Sequence, residues 1–281
     1  MKVCRTIADY RSEIARFRAS SETVGLVTTM GALHDGHMAL VAAAKADNVR
    51  VVTTIFVNPT QFGNPADLLK YPRTEDADLA MFEEAGVDAV LLPSVEQIYP
   101  EGDETIVETT KLAHVFHGKV RPGHFTGVAT VVTKLFNIAQ PDAAYFGEKD
   151  YQQLAVIGRM VADLHMPLRI VGVPTVRETD GLAMSSRNVR LTPEDRRAAP
   201  VLNVALDAAW SIAAQGATVE EMADEIRRVI ESEPRATLQG LDIVDAATFE
   251  VASGRPTATV GIMISVQFGD VLLIDQREIA P

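Results

Sequence analysis

Two histidines, His34 and His37, stand either side of Asp35-Gly36 in the run Thr28-Thr29-Met30-Gly31-Ala32-Leu33-His34-Asp35-Gly36-His37. Imidazole nitrogens donate and accept hydrogen bonds and change charge near neutral pH. Gly31 and Gly36 let the backbone pass close to a ligand. A glycine-rich phosphate turn needs no imidazoles, so two of them beside such a turn place donors where a triphosphate would sit. Four further clusters carry chemistry. Phe56-Val57-Asn58-Pro59-Thr60-Gln61-Phe62-Gly63 offers two amides, Asn58 and Gln61, able to read a hydroxyl and a carboxylate together. The loop His117 to Phe125 gathers His117, Lys119, Arg121 and His124 in an acidic protein, which suits an anion. Gly147-Glu148-Lys149-Asp150 sets a lysine beside a glycine turn. Ser185-Ser186-Arg187 joins two hydroxyls to a guanidinium, a compact phosphate clamp.

The elements that must hold these groups follow one rhythm. Val24–Thr28 is short and apolar and reads as a buried strand; Met38 to Ala46 has helical spacing and good helix formers. The histidine run is therefore a strand-to-helix turn, and the helix after it offers free N–H groups and the positive end of its dipole. Val49–Val57 and Asp88–Pro93 read as further strands, as do Asp142–Phe146 and Leu168–Val176. A strand is expected at Val3–Ile7. Helices are expected at Ala8–Arg18, Asp76–Gly86, Gly127–Ala139 and Tyr151–Leu164, with His124 and Asp150 as helix caps and Asp78 on a helix surface. Alternating strands and helices imply a parallel sheet covered on both faces, with ligands beyond the carboxyl ends of its strands. After about Val176 the texture changes. One long alanine-rich helix is expected from Thr192-Pro193 to Ala214, a charged amphipathic one over Val219–Glu231, and strands at Leu241–Val244, Ala258–Ile264 and Asp270–Ile274. The expected fold is thus a Rossmann-like parallel α/β domain over 1–176, followed by a smaller α+β domain over 177–281 that serves as a lid.

Bulk composition narrows the class. With 47% hydrophobic and 23% charged residues, 281 residues can bury a sizeable core. A net charge of −12 argues against a nucleic-acid partner, which needs a basic surface. No apolar run is long enough to span a bilayer, and Met1 to Arg5 lacks a signal peptide's apolar stretch. A single cysteine, Cys4, excludes an internal disulfide and fits a reducing, cytoplasmic compartment.

His34-x-Gly36-His37 at the first strand-to-helix turn resembles the signature of the nucleotidyl-transferase superfamily. The fuller run Thr-Met-Gly-Ala-Leu-His-x-Gly-His is similar to that of the pantoate–β-alanine ligase family. Phe56-Val57-Asn58-Pro59-x-Gln61-Phe62, Tyr71-Pro72-Arg73-Thr74, Arg121-Pro122-Gly123-His124-Phe125, Phe146-Gly147-Glu148-Lys149-Asp150 and Met184-Ser185-Ser186-Arg187-Asn188 resemble the family's other segments, in the same order. The resemblance implies ATP-dependent condensation of pantoate with β-alanine through pantoyl adenylate, releasing pyrophosphate and AMP. It implies Mg²⁺ bound mainly through the ATP phosphates, and a homodimer. Catalysis falls to His37 as proton donor, with His34, Lys149 and Arg187. ATP binding falls to Met30, Gly31, His34, His37, Gly147 and Lys149, and further to Asp150, Val176, Met184, Ser185, Ser186 and Arg187. Pantoate and β-alanine fall to Gln61, Gln153, Asn58 and Met30, with Arg121 and Tyr71 as additional candidates. One departure stands out: the family commonly has proline where this chain has Thr28, so the turn is expected to be less stiff. The alternative is another adenylyl transferase of the two-histidine superfamily, whose acceptor would be a phosphate. A nucleotide-binding regulator without catalysis is a third reading, disfavoured by the intact histidine pair and Lys149.

Overall fold

The structure, a computed structural model, describes residues 1–63 and 65–281. The chain forms two compact units: Met1–Glu148 with Gln152–Pro174, and Lys149–Tyr151 with Thr175–Pro281. The first unit ends at Pro174, and the short segment 149–151 groups with the second.

The first unit is built on six parallel strands, β1 (Lys2–Cys4), β2 (Val24–Thr29), β3 (Arg50–Ile55), β4 (Ala89–Leu91), β5 (Ala143–Gly147) and β6 (Arg169–Val173), in the order β1-β4-β3-β2-β5-β6. Between them run α1 (Ile7–Ala19), α2 (Asp35–Asp47), the short α3 (Pro65–Leu69), α4 (Glu75–Glu84), the single turns α5 (Val95–Ile98) and α6 (His117–Val120), and the long α7 (His124–Ala139) and α8 (Tyr151–Asp163). The expected rhythm holds, with shifted ends. Residues up to Ile7 do not all extend, because Thr6 is the N-cap of α1 and accepts from the Asp9 N–H at 3.1 Å. The three short helices escape a sequence reading, since one turn shows no 3.6-residue period. α7 is apolar on nearly all sides and buried along most of its length, as a core helix must be.

Strand order decides where ligands go. From β2 the chain builds outward through β3 and β4, then returns to add β5 and β6 on the other side. The direction of growth thus reverses between β2 and β5, which pair from Gly25↔Ala143 to Val27↔Tyr145. In open parallel sheets the crevice at such a switch point is the binding place. Here it is flanked by the histidine turn after β2 and by Gly147 at the end of β5. Thr28 lies in the ladder opposite Thr54, so the strand runs unbroken through this position.

The second unit holds α9 (Pro193–Ala198), α10 (Val201–Ala213), α11 (Val219–Glu231) and an antiparallel sheet of β7 (Thr237–Asp245), β8 (Val260–Phe268) and β9 (Val271–Ile279). The single long helix expected from Thr192 to Ala214 is in fact two. Pro200 lacks an N–H and its ring clashes with the preceding turn, so the helix stops at Ala198 and restarts at Val201. Leu202, Leu206, Met222, Ile226 and Phe268 form the fully buried centre of this unit. Each contributes about 1.5–3 kcal/mol of burial.

Candidate active site

The turn after β2 is fixed from beneath. The Thr29 hydroxyl donates to the Thr54 carbonyl at 2.8 Å and accepts from the Gly31 N–H at 3.3 Å. Gly31 and Ala32 both have positive φ, 79° and 50°. A side chain at 31 would bring its Cβ within 3.0 Å of Asp78 Oδ2 and 3.2 Å of Ile55 Cγ2, so glycine is required there. Successive left-handed residues turn adjacent N–H groups toward one point, a small anion nest. The occupant is internal. Asp78 Oδ2 accepts from the Ala32 N–H at 3.0 Å and Oδ1 from the Leu33 N–H at 2.9 Å, while the Thr74 hydroxyl donates to Oδ1 at 3.1 Å. The expectation that Asp78 lies on a helix surface is therefore wrong: it is 2% exposed. Asp78 and Phe82, one turn apart on α4, both face inward.

Beyond this nest the two imidazoles cap α2. His34 is the N-cap, and its Nδ1 accepts from the Gly36 N–H at 3.2 Å; His37 Nδ1 accepts from the His34 N–H at 3.3 Å. This is a capping box with histidines where serine and glutamate are usual. The rings lie 4.1 Å apart, tilted by 44°. Because each Nδ1 is an acceptor, the ring proton of a neutral imidazole sits on Nε2, and each ring offers one N–H donor away from the helix.

The amide cluster follows β3. Asn58 is 1% exposed and caps the single 3₁₀ turn Pro59–Gln61. Its Nδ2 donates to Gln61 Oε1 at 3.0 Å and to the Gly127 carbonyl at 3.2 Å. Its Oδ1 accepts from the Thr60 hydroxyl at 2.9 Å and from the Tyr99 hydroxyl at 2.7 Å. Burial pushes the Tyr99 phenol above its usual pKa, which keeps it a donor. Asn58 thus engages both N–H groups inside the protein, one of them on the Gln61 side chain. The Gln61 amide nitrogen lies 3.1 Å from the Met30 sulfur, which ties the cluster to the histidine turn. His124 was expected to cap α7; instead Gly123 is the cap, and buried His124 places Nδ1 at 2.9 Å from the Gln61 carbonyl and Nε2 at 3.2 Å from Arg121. α7 can approach this closely only because of Gly127, where a Cβ would stand 2.6 Å from the Thr60 carbonyl oxygen. Tyr71 is buried edge-on against Phe62, ring centroids 5.7 Å apart. One unit therefore brings together Met30, Asn58, Gln61 and Arg121. His124, expected in an anion-suited loop, joins them, and so do Tyr99, Gly127 and Asp78, which neither type nor spacing marks as site residues. The small residue in Gly-His-Phe-Thr-Gly was the one available hint, since it marks a close approach.

At the end of β5, nothing among the described residues lies within 4 Å of where a Cβ of Gly147 would stand, so backbone there is open to a ligand. Gln153, on the first turn of α8, is half-buried and makes no side-chain hydrogen bond among the described residues. Its neighbour Gln152 is 2% exposed and is spent on the Leu112 and Val115 carbonyls at 2.8 Å.

The remaining candidates lie in the second unit. Lys149 and Asp150 belong to the 3₁₀ turn Glu148–Asp150. Lys149 is half-buried, with no carboxylate within ion-pair distance among the described residues. Val176 and Met184 face each other across a narrow hairpin, with the Met184 N–H donating to the Val176 carbonyl at 3.0 Å. After Met184 the chain runs through Ser185, Ser186 and Arg187 into the turn Asn188–Arg190. The Ser185 hydroxyl accepts from the Arg187 N–H at 3.2 Å, and Asn188 donates to Glu178 at 3.0 Å and to the Ala183 carbonyl at 3.1 Å. Arg177 anchors the hairpin through two bonds to buried Asp275, at 2.6 and 3.0 Å. Arg196 pairs with Glu178 and Asp180, and holds the Asp180 carboxyl below the usual carboxylate range.

A parallel sheet that reverses order between two glycine-bearing turns, one of them set with paired imidazole donors, defines a nucleotide-binding α/β protein of the two-histidine class. Comparison with known proteins narrows this. The family model described as pantoate-beta-alanine ligase matches residues 2–278. The chain belongs to the pantoate–β-alanine ligase family. It is 51% identical to the pantothenate synthetase of Sinorhizobium medicae, covering 100% of this chain and 97% of that one, and 48% identical to that of Bartonella henselae, covering 98% of each. Among solved structures, the pantothenate synthetase of Thermus thermophilus superposes with a TM-score of 0.95 at 47% identity over the whole of both chains. The Francisella tularensis pantoate-beta-alanine ligase, complexed with beta-gamma ATP and beta-alanine, gives 0.82 at 34% identity, covering 99% of this chain and 97% of that one.

Proposed function

We propose that this chain joins pantoate to β-alanine at the expense of ATP. A pantoate carboxylate oxygen attacks the α-phosphorus, the bond to the β-phosphate breaks, and the electron pair leaves with pyrophosphate. The β-alanine amine then attacks the acyl carbon of pantoyl adenylate; the bond to AMP breaks and the nitrogen gives up a proton. The observation that carries this reading is the imidazole pair at the carboxyl end of β2, in a chain matched to the family from residue 2 to 278.

Charge builds on the departing phosphates, so donors and cations must be in place before reaction. We assign that work to the Nε2–H groups of His34 and His37, to Lys149 and to the Ser185-Ser186-Arg187 loop. Met30, Gly31, Gly147, Asp150, Val176 and Met184 are assigned to the rest of the nucleotide. Gln61 and Gln153 are assigned to pantoate; Asn58 aims Gln61, and Arg121 and Tyr71 border the same cluster. With Nδ1 of His37 accepting a backbone N–H, we assign this residue a hydrogen bond from Nε2 rather than proton delivery by an imidazolium. Mg²⁺ is proposed to arrive on the ATP phosphates. Among the described residues no group of three or more His, Cys, Asp and Glu is placed to hold a metal. The second unit is assigned the exclusion of water from the easily hydrolysed mixed anhydride. We also infer a cytoplasmic homodimer, the cytoplasmic part from a chain with a single cysteine, Cys4. No helix among the described residues is long and apolar enough to cross a membrane.

The test is AMP release by the full chain with ATP, Mg²⁺, pantoate and β-alanine. The expected result is AMP that requires all three substrates; a folded sample that makes none overturns the reading. Gln61→Ala tests the site at finer grain. An amide hydrogen bond to a charged group contributes about 1.5–3 kcal/mol, so half-saturation by pantoate should rise about 10–100-fold. Half-saturation by ATP should move far less, and equal shifts for both substrates would remove Gln61 from the pantoate site.

A further inference from the structure

We propose that Asp78 is a positioning residue for adenylate formation, acting through the backbone of the histidine turn. The inference rests on the reading just given of His34 and His37 as phosphate donors. A nest of consecutive N–H groups at the end of a parallel strand is an ordinary place for a phosphate. In this chain the nest at 31–33 is filled by a carboxylate from α4, with both oxygens engaged and a third donor, Thr74, holding one of them. The two N–H groups are thereby withdrawn from any ligand. An ATP phosphate cannot use them while Asp78 is there, and its negative charge would be repelled by the carboxylate at closer approach. The donors left for the phosphates are those further along the turn.

What the carboxylate supplies instead is geometry. Ala32 is a non-glycine residue held at φ 50°, a conformation that persists only where the surroundings over-determine it. The bonds to the Ala32 and Leu33 N–H groups do that. The next residue is His34, whose own N–H is bonded to His37 and whose ring is bonded to Gly36. The hydrogen bonds of Asp78 and those of the two imidazoles are thus joined through the backbone from Leu33 to His34. A shift of the turn passes directly to both Nε2 donors. Displacing a catalytic group by about 1 Å costs on the order of 10²-fold in rate. Donors that act on developing charge affect the transition state more than ground-state binding. A turn loosened at Asp78 therefore lowers turnover more than it weakens ATP binding.

The experiment compares wild type, Asp78→Asn and Thr74→Val by pantoate-dependent ATP–pyrophosphate exchange, with amide hydrogen exchange followed at Ala32 and Leu33. In Asp78→Asn one of the two acceptors becomes a donor facing an N–H. The expected result is a kcat for exchange at least about 10-fold lower per folded molecule, with KM for ATP within about threefold, and faster amide exchange at Ala32 and Leu33. Thr74 is exposed, so Thr74→Val folds; it removes one donor to the carboxylate, and its kcat falls about 2–5-fold in the same direction. Unchanged kcat in folded Asp78→Asn overturns the inference. So does a lowered kcat with Ala32 and Leu33 as protected as in wild type. Should Asp78→Asn not fold, Thr74→Val decides, and an unchanged kcat there overturns it equally. Wild type without any pantoate-dependent exchange would instead reject the proposed function, while the amide exchange would still report whether Asp78 holds the turn.

Discussion

Replacing His37 by alanine is expected to lower pantoate-dependent ATP–pyrophosphate exchange by about 10²–10³-fold, the usual cost of losing one preorganised donor at a site of developing charge. The protein should still fold. The ring's Nδ1 accepts a capping bond from the His34 N–H, worth about 1 kcal/mol, and the ring packs against His34 with centroids 4.1 Å apart. His37→Asn separates the two parts of the residue. Its side-chain oxygen can take the place of Nδ1 as acceptor for the helix, yet nothing reaches the position of Nε2. Stability near that of wild type with exchange as low as in His37→Ala places the catalytic contribution at Nε2. Exchange near wild type in His37→Asn would show that the cap is what matters and would remove His37 from the phosphate chemistry. Single-turnover formation of pantoyl adenylate, read beside thermal melting of each variant, supplies both measurements.

Arg177→Ala is expected to be the most destabilising change in the second unit. Asp275 is 2% exposed and receives two guanidinium bonds from Arg177. Removing the cation leaves a buried carboxylate facing little but the Gln276 N–H, at 2.8 Å. Breaking a buried pair from one side costs about 3–5 kcal/mol. For a unit of this size that corresponds to a fall in Tm of at least about 10 °C. Arg177 also donates to the Gly181 carbonyl at 3.1 Å, so the hairpin that leads to Ser185, Ser186 and Arg187 loses its anchor. KM for ATP should rise with the loss of stability. Adding Asp275→Asn to Arg177→Ala removes the stranded charge and should recover part of the Tm without recovering the KM. A Tm within about 2 °C of wild type for Arg177→Ala would show that solvent reaches Asp275 and compensates it.

The sequence was informative where physics is local. Runs of β-branched residues, glycine turns and helical spacing placed all six parallel strands to within a few residues, and the motif turns fell at the ends of β2, β3 and β5 as the alternating pattern requires. The single helix expected from Thr192 to Ala214 passes over Pro200: a proline inside an alanine-rich run ends the helix, and no propensity in the neighbours offsets a missing N–H and a steric clash. The amide of Asn58 is by type able to contact a ligand. Its four partners come from Thr60, Gln61, Tyr99 and Gly127, and only the first two are near it in the chain.

Residue type and order by themselves determined the parallel α/β plan, the change of texture in the last third of the chain, and the turns that carry imidazole, amide, lysine and serine groups. Those features depend on backbone sterics and on periodicity, which act over a few residues. Only the tertiary structure decided that the strand order reverses between β2 and β5, that His124 and Gly127 set Gln61, and that the N–H nest at Ala32 and Leu33 is occupied by Asp78. The physical reason is that a buried polar atom must find a partner wherever the packed chain brings one. For Asp78 two of its three partners, the Ala32 and Leu33 N–H groups, are far from it in the chain, and nothing in the residues beside it announces them.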